Sequence, residues 1–268
     1  MNPDTIVSFV FLFKRILNFT KLGGWASDKR KAQRYTVGHP FPFKTVLTLL
    51  GQDSEGRKIT DDDEGVDWAG RLVNLSASGA NIQLHSAANG ARGGRCRLKF
   101  SRNNYLLTIP GTIAYGRTYP QYMLCGFSFI FPDFEARKAY LQLLEPVSIA
   151  ASLAPVDLHK VKQDTAGLHK EQFKSPTAAS LTVWRHAPGG PVQKFDFGMN
   201  DYGVRWTEGM AAVESYGAPP GNRSAPTSFV KLTEAQQIEV RWLFCLAVPN
   251  LAKAVTPDIR KLLARLVV

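Results

Sequence analysis

The sequence predicts a β-rich chain with added helices: an N-terminal six-stranded antiparallel β-barrel followed by a smaller α+β C-terminal domain. Three observations carry that reading. Short segments of apolar and polar alternation recur between Tyr35 and Phe131, separated by polar, glycine-bearing turns. A helical pattern then starts at an Asp cap, Asp133. Near the end, Thr233-Glu234-Ala235-Gln236 has capping-box spacing, and Thr256-Pro257 pairs a cap with proline at the first helical position.

The strands follow in order. Phe43 to Leu50 is rich in strand formers, and the polar, acidic stretch Gly51 to Gly65 reads as a long hairpin loop. Trp68 to Leu75 and Ala80 to Leu84 are strands joined across a Ser-Ala-Ser-Gly turn. In the second of them Ala80, Ile82 and Leu84 face inward while Asn81 and Gln83 face water. In Arg95 to Phe100, Cys96, Leu98 and Phe100 point in, and Arg95, Arg97 and Lys99 line the outside. Leu106 to Tyr115 and Tyr122 to Phe131 complete the set. Closing these strands into a barrel removes the edges they would otherwise expose. The helix from Asp133 to Glu145 is expected to end at Pro146.

Beyond it, Val147 to Ala179 is poor in aromatics and carries Pro155, Gly167 and Pro176, as a linker would. Leu181 to Ala187 and Val192 to Phe197 form a hairpin around Pro188-Gly189-Gly190-Pro191, and helices from Ile238 to Val248 and after Pro257 end the chain. The expected organisation is therefore an N-terminal helix over 1–27, a barrel with its trailing helix over 28–146, a linker over 147–179 and an α+β domain over 180–268.

Length and composition allow one large domain or two ordinary ones: 268 residues, 44% hydrophobic. The excess of 33 Lys+Arg over 22 Asp+Glu, a formal charge of +11, favours an anionic partner such as a nucleotide, nucleic acid, acidic protein or lipid headgroup. Cys96, Cys125 and Cys245 lack CxxC spacing, so neither a zinc site nor a disulfide framework is expected, and a reducing cytoplasm fits. The apolar run Ile6 to Phe13 is too short to span a bilayer and is interrupted by Lys14-Arg15. Continued to about Leu22, it predicts a helix packed on the protein; peripheral membrane contact through residues 5–22 is the alternative.

Two motifs bear on function. Arg30-Lys31-Ala32-Gln33-Arg34 precedes the first strand-like stretch, and Asn74-Leu75-Ser76-Ala77-Ser78-Gly79 lies at a strand end where the chain turns back. Together, around a β-rich segment, they resemble the RxxxR and [DN]xSxxG pattern of the PilZ family over roughly residues 28–146. Six strands with a trailing helix, and Gly111-Thr112-Ile113 and Gly126-Phe127-Ser128-Phe129 late in the barrel, are similar to that family too. The resemblance implies a receptor for the bacterial second messenger cyclic di-GMP, with Arg30 and Arg34 in a loop that folds over bound nucleotide.

The chemistry suits such a ligand, which carries two guanines and two phosphates. An arginine fork can stack on a guanine, pair bidentately with its O6 and N7, or contact phosphate. Lys29 and Lys31 would add long-range attraction. Asn74 offers a donor and an acceptor to a base edge, and the Ser76 hydroxyl can reach a phosphate or a backbone group. Gly79 removes a side chain where the turn calls for positive φ. Arg95 and Arg97, with Lys99, form a candidate third basic element, although a solvated barrel face explains the same alternation.

No catalytic pattern stands out. His39, His85, His159, His169 and His186 match no metal spacing, and no GxSxG, HExxH or GxxxxGK[ST] occurs. Asp61, Asp62, Asp63 and Glu64 read as a solvated hairpin tip. Trp184-Arg185, Arg205-Trp206 and Arg241-Trp242 read as core tryptophans beside solvated arginines, not as a nucleic-acid surface. The expectation is a binding module that passes its signal to a protein partner, without enzymatic activity, cofactor or metal. Its rivals are a ligand-independent adaptor for pilus, flagellar or polysaccharide machinery, and a basic nucleic-acid-binding protein.

Overall fold

The structure, a computed structural model, describes residues 33–217 and 232–268, except 52, 54, 56, 58, 60–62, 104, 177 and 178. The expected N-terminal helix therefore lies outside the described residues. The described chain divides into two compact units, one running to Leu144 and the other from Glu145 to Val268.

In the first unit, β1 (Tyr35–Thr36), β2 (Lys44–Leu50), β3 (Gly65–Ser76), β4 (Gly79–His85), β5 (Arg95–Arg102), β6 (Tyr105–Thr118) and β7 (Tyr122–Phe129) are all antiparallel. The order β3-β2-β5-β6-β7-β4, with β4 returning to β3, closes a six-stranded barrel. Alternation fills it: Leu47, Leu49, Leu72, Leu75, Ile82, Leu98, Phe100 and Ile109 are buried to within a few per cent. The twelve-residue strand β3 serves two neighbours in succession on one side. Gly65 to Gly70 pair with β2, and farther on β1 takes over at Asn74 and Leu75.

Helix α1 (Phe134–Ala151) starts where Asp133 Oδ1 accepts the Ala136 N–H at 2.7 Å, the expected cap. It does not stop at Pro146. Proline inside a helix costs about 3 kcal/mol, but Val147, Ile149 and Ala150 beyond it are buried, and that burial offsets the missing hydrogen bond.

The second unit is an antiparallel sheet ordered β13-β12-β11-β10-β9-β8 with helices on one face. Its strands are β8 (Ala154–Pro155), β9 (His169–Lys174), β10 (Ala179–Arg185), β11 (Val192–Met199), β12 (Tyr202–Thr207) and β13 (Glu214–Gly217). Leu181, Val183, Phe195, Phe197 and Val204 share a core with Leu243 and Phe244 of α2 (Glu234–Ala247) and Ile259 and Leu263 of α3 (Pro257–Val267). The capping box at Thr233 and Gln236 is formed. Thr256, by contrast, makes no backbone cap; its hydroxyl donates to Asp258 Oδ1 at 2.5 Å.

Two expectations need correction here. The stretch 147–179 is not a linker: it carries the end of α1, β8, a 3-10 turn and β9, and Phe173 is buried in the core. Arg185 is not solvated either. Its side chain is 2% exposed and held by Glu171 at 3.0 Å, by Asp258 at 2.6 Å and by the Gly190 carbonyl.

Candidate functional site

The far end of β3 organises the site. Tyr35 pairs with Leu75 and Thr36 with Asn74, so the next residue back, the exposed Arg34, stands level with Ser76. The apolar contacts that hold β1, with Tyr35 and Val37 both buried, thus place the second arginine of the first motif beside the second motif. Arg30, Lys29 and Lys31 lie outside the described residues.

Within the second motif each residue has its own role. A register irregularity between Leu72 and Asn74 leaves Val73 extra, and its carbonyl accepts from Val37 N–H at 2.9 Å. Asn74 is half-buried and sits opposite Asn81 of β4. Ser76 is 5% exposed, and its hydroxyl donates to the Gly79 carbonyl at 3.2 Å and accepts from Ser78 N–H at 3.5 Å. Its carbonyl takes the Tyr140 hydroxyl at 2.6 Å, which ties the turn to α1. In this state the Ser76 side chain serves the turn and reaches no open surface.

Gly79 is required for a reason other than the expected one. Its φ is not in the left-handed region; a Cβ there would lie 2.4 Å from the Phe127 carbonyl oxygen, because β7 passes directly alongside.

Arg95 and Arg97 are not brought to this turn. Both reach Asp63, at 2.9 and 3.2 Å, while Lys99 pairs with Asp67 at 2.9 Å. Asp67 also accepts from Thr48 at 2.5 Å. Its pKa ends below the ordinary carboxylate value, because the Thr48 and Lys99 contacts outweigh burial, the largest single effect, which raises it. Asp67 and Asn74 are seven residues apart on one strand, roughly 23 Å at about 3.3 Å per residue. The basic row on β5 therefore belongs to the opposite end of β3 and is engaged by the acidic loop.

The outward face next to Asn74 holds residues that neither motif contains. Asn81 pairs with Gly126 of β7, and Gly126 with Tyr115 of β6. The Tyr115 ring lies where a side chain at 126 would be, 2.3 Å from an ideal Cβ, and its hydroxyl donates to Asn81 Oδ1 at 2.8 Å. The Arg117 guanidinium sits over that ring, 5.7 Å from its centroid. One step along, Arg71 and Gln83 face each other across β3 and β4. Arg71 Nε also stands 2.9 Å from His39 Nε2, which is 3.1 Å from the Leu72 carbonyl. Burial, then the Arg71 charge, hold the His39 pKa below the ordinary histidine value. The alternation of β4 marked Asn81 and Gln83 as turned away from the barrel interior, but Asn81 does not face water as expected: it is 8% exposed and bonded to Tyr115. Tyr115 was not marked by alternation, because a register shift between Ile113 and Tyr115 turns it outward.

Residues 28–145 match the family model described as the PilZ domain. Over this stretch, less than half of the chain, the sequence is similar to PilZ domains. The family is one of cyclic di-GMP-binding domains. No curated protein sequence matches the chain. Solved structures similar to it include the PilZ domain of CeSA from a cellulose-synthesizing bacterium, at 13% identity and a TM-score of 0.30, over 43% of this chain and 98% of that one. The PilZ domain of YcgR from Escherichia coli with c-di-GMP is similar at 13% identity and a TM-score of 0.33, over 44% and 90%. The Borreliella burgdorferi PlzA protein in complex with c-di-GMP is similar at 9% identity and a TM-score of 0.29, over 89% and 99%. Among the described residues no helix is long and apolar enough to cross a membrane.

Proposed function

We propose that this chain is a bacterial cytoplasmic receptor for cyclic di-GMP, a binding module and not an enzyme, that passes nucleotide occupancy to a protein partner. Arg30, Arg34, Asn74, Ser76 and Gly79 are its ligand-binding residues. The reading is carried by one juxtaposition inside the PilZ-like stretch: the β1–β3 register sets Arg34 level with the Asn74 to Gly79 turn. Arg34 and Arg30 supply planar cations for guanine and phosphate. Asn74 supplies an amide to the base edge, and Gly79 keeps the strand pair closed beneath it. Ser76 acts first by shaping the turn, and a ligand phosphate would compete for its hydroxyl with the Gly79 carbonyl. Ordering the loop that carries Arg30 and Arg34 constrains the segment before it, which is how occupancy would be read by a partner. A peripheral membrane contact through residues 5–22 belongs to the same segment.

The test is a calorimetric titration of the full chain with cyclic di-GMP, reporting affinity and stoichiometry. Arg30→Ala and Arg34→Ala are each expected to weaken binding about thirtyfold, about 2 kcal/mol, with unchanged melting. A folded double variant that binds as the wild type does removes the assignment. A second reading, a ligand-independent adaptor, is favoured by one observation: the Ser76 and Gly79 contacts already account for both residues as parts of the turn. A wild-type chain that fails to bind the nucleotide supports it. Binding of long polyanions with a steep salt dependence and no cyclic di-GMP selectivity would point instead to nucleic acid.

A further inference from the structure

We infer that Tyr115 and Arg117 form a second base-binding station of the same site, and that Tyr115 sets the orientation of Asn81 within it; this rests on the receptor reading above. Three features lead there. The Tyr115 ring is laid against the backbone at Gly126, where any side chain at 126 would collide with it, so the ring is held from below. The Arg117 guanidinium stands over the ring, 5.7 Å from the centroid, so a planar cation is already beside a planar ring on the barrel surface. The Tyr115 hydroxyl donates to Asn81 Oδ1 at 2.8 Å, which occupies the amide oxygen and leaves the Asn81 NH2 as the end offered to a partner.

Asn81 sits directly opposite Asn74, so the station adjoins the turn of the second motif. A flat, electron-rich heterocycle with acceptors on one edge suits this set: its face stacks on the ring or the guanidinium, and its acceptors take the Asn81 NH2 or the Arg117 fork. Cyclic di-GMP has two guanines. With Arg34 and Asn74 serving one of them, the Tyr115 and Arg117 station seats the other. Through its hydroxyl Tyr115 positions the Asn81 amide, while Asn81 and Arg117 make the polar contacts to the ligand.

The experiment is calorimetric titration of the full chain with cyclic di-GMP, alongside thermal melts, for wild type, Arg117→Ala, Arg117→Lys, Tyr115→Phe and Arg34→Ala. Arg117→Ala is expected to weaken binding about tenfold or more. Arg117→Lys, which keeps the charge and loses the planar fork, is expected to weaken it nearly as much. Tyr115→Phe keeps the ring and frees the Asn81 amide, so its affinity falls by a smaller factor at unchanged stoichiometry. Wild-type affinity in folded Arg117→Ala and Tyr115→Phe, with binding weakened about thirtyfold in Arg34→Ala, overturns the station and leaves the receptor reading intact. Full recovery in Arg117→Lys also overturns it, since long-range charge alone would then account for Arg117. A wild-type chain that does not bind overturns both readings together.

Discussion

Gly79→Ala separates two reasons a turn can need glycine. If positive φ were the reason, alanine would be strained and asparagine, which tolerates the left-handed region, would recover part of the loss. The structure gives a different reason: a Cβ at 79 meets the Phe127 carbonyl oxygen at 2.4 Å, whereas real Cβ atoms essentially never approach closer than 3.0 Å. Strands β4 and β7 must therefore part by at least ~0.6 Å at the Gly79 and Ser128 pair. The obstacle is backbone, so no side chain can swing away. Weakening one or two ladder hydrogen bonds at about 1 kcal/mol each, together with the strain of overpacking, comes to about 1–3 kcal/mol. For a domain of this size that lowers Tm by about 4 °C per kcal/mol, or roughly 4–12 °C. Thermal melts of Gly79→Ala and Gly79→Asn should show the same fall. Recovery in the asparagine variant, or an alanine variant that melts with the wild type, would refute the contact argument. The same parting disturbs the turn at Ser76, so cyclic di-GMP binding should weaken in both variants.

Ser76→Ala removes a hydroxyl that makes two bonds inside the turn, so stability should fall by about 1 kcal/mol while binding weakens more steeply; melts and titrations on one preparation give both. Arg185→Met leaves Glu171 without its buried partner and should cost the second unit about 3–5 kcal/mol by denaturant titration, whereas Arg205→Met at the more exposed Arg205 and Glu214 pair should cost under about 1 kcal/mol. His39 titrates below its unfolded value of 6.5, so as pH falls the unfolded chain takes the proton first. The stability His39 contributes is thus present above pH 6.5 and is lost as pH falls through its lower folded value. Wild-type Tm should drop more than that of His39→Gln between pH 7.5 and 5.

The parts of the fold that periodicity revealed are those whose neighbours merely supply an apolar interior. Cys96, Leu98 and Phe100 point inward whatever strand lies alongside, and the Thr233 and Gln236 capping box is complete within four residues. The parts it hid depend on a distant partner. Pro146 reads as a stop because the local cost is visible in the sequence and the burial of Val147, Ile149 and Ala150 is not. In β9, His-Lys-Glu-Gln-Phe-Lys shows little apolar alternation, since Glu171 takes an inward position to meet Arg185. Each of those two residues reads as solvated alone, and only the pairing of β9 with β10 explains both.

The site divides along the same line. Residue identity marked Arg34, Asn74, Ser76 and Gly79, but their spacing in the chain says nothing of why Gly79 is glycine, a matter decided by Phe127, 48 positions later. Tyr115 is hidden more deeply. Continuing the alternation of Ile109, Gly111 and Ile113 would bury it, and one residue of register shift moves it to the outer face beside Asn81. Gly126 is what permits that placement, because any larger residue there would displace the ring. Gly126 and Tyr115 are therefore explained as a pair, as Glu171 and Arg185 are in the second sheet. In both cases a residue that looks out of place locally is the counterpart of another across a strand.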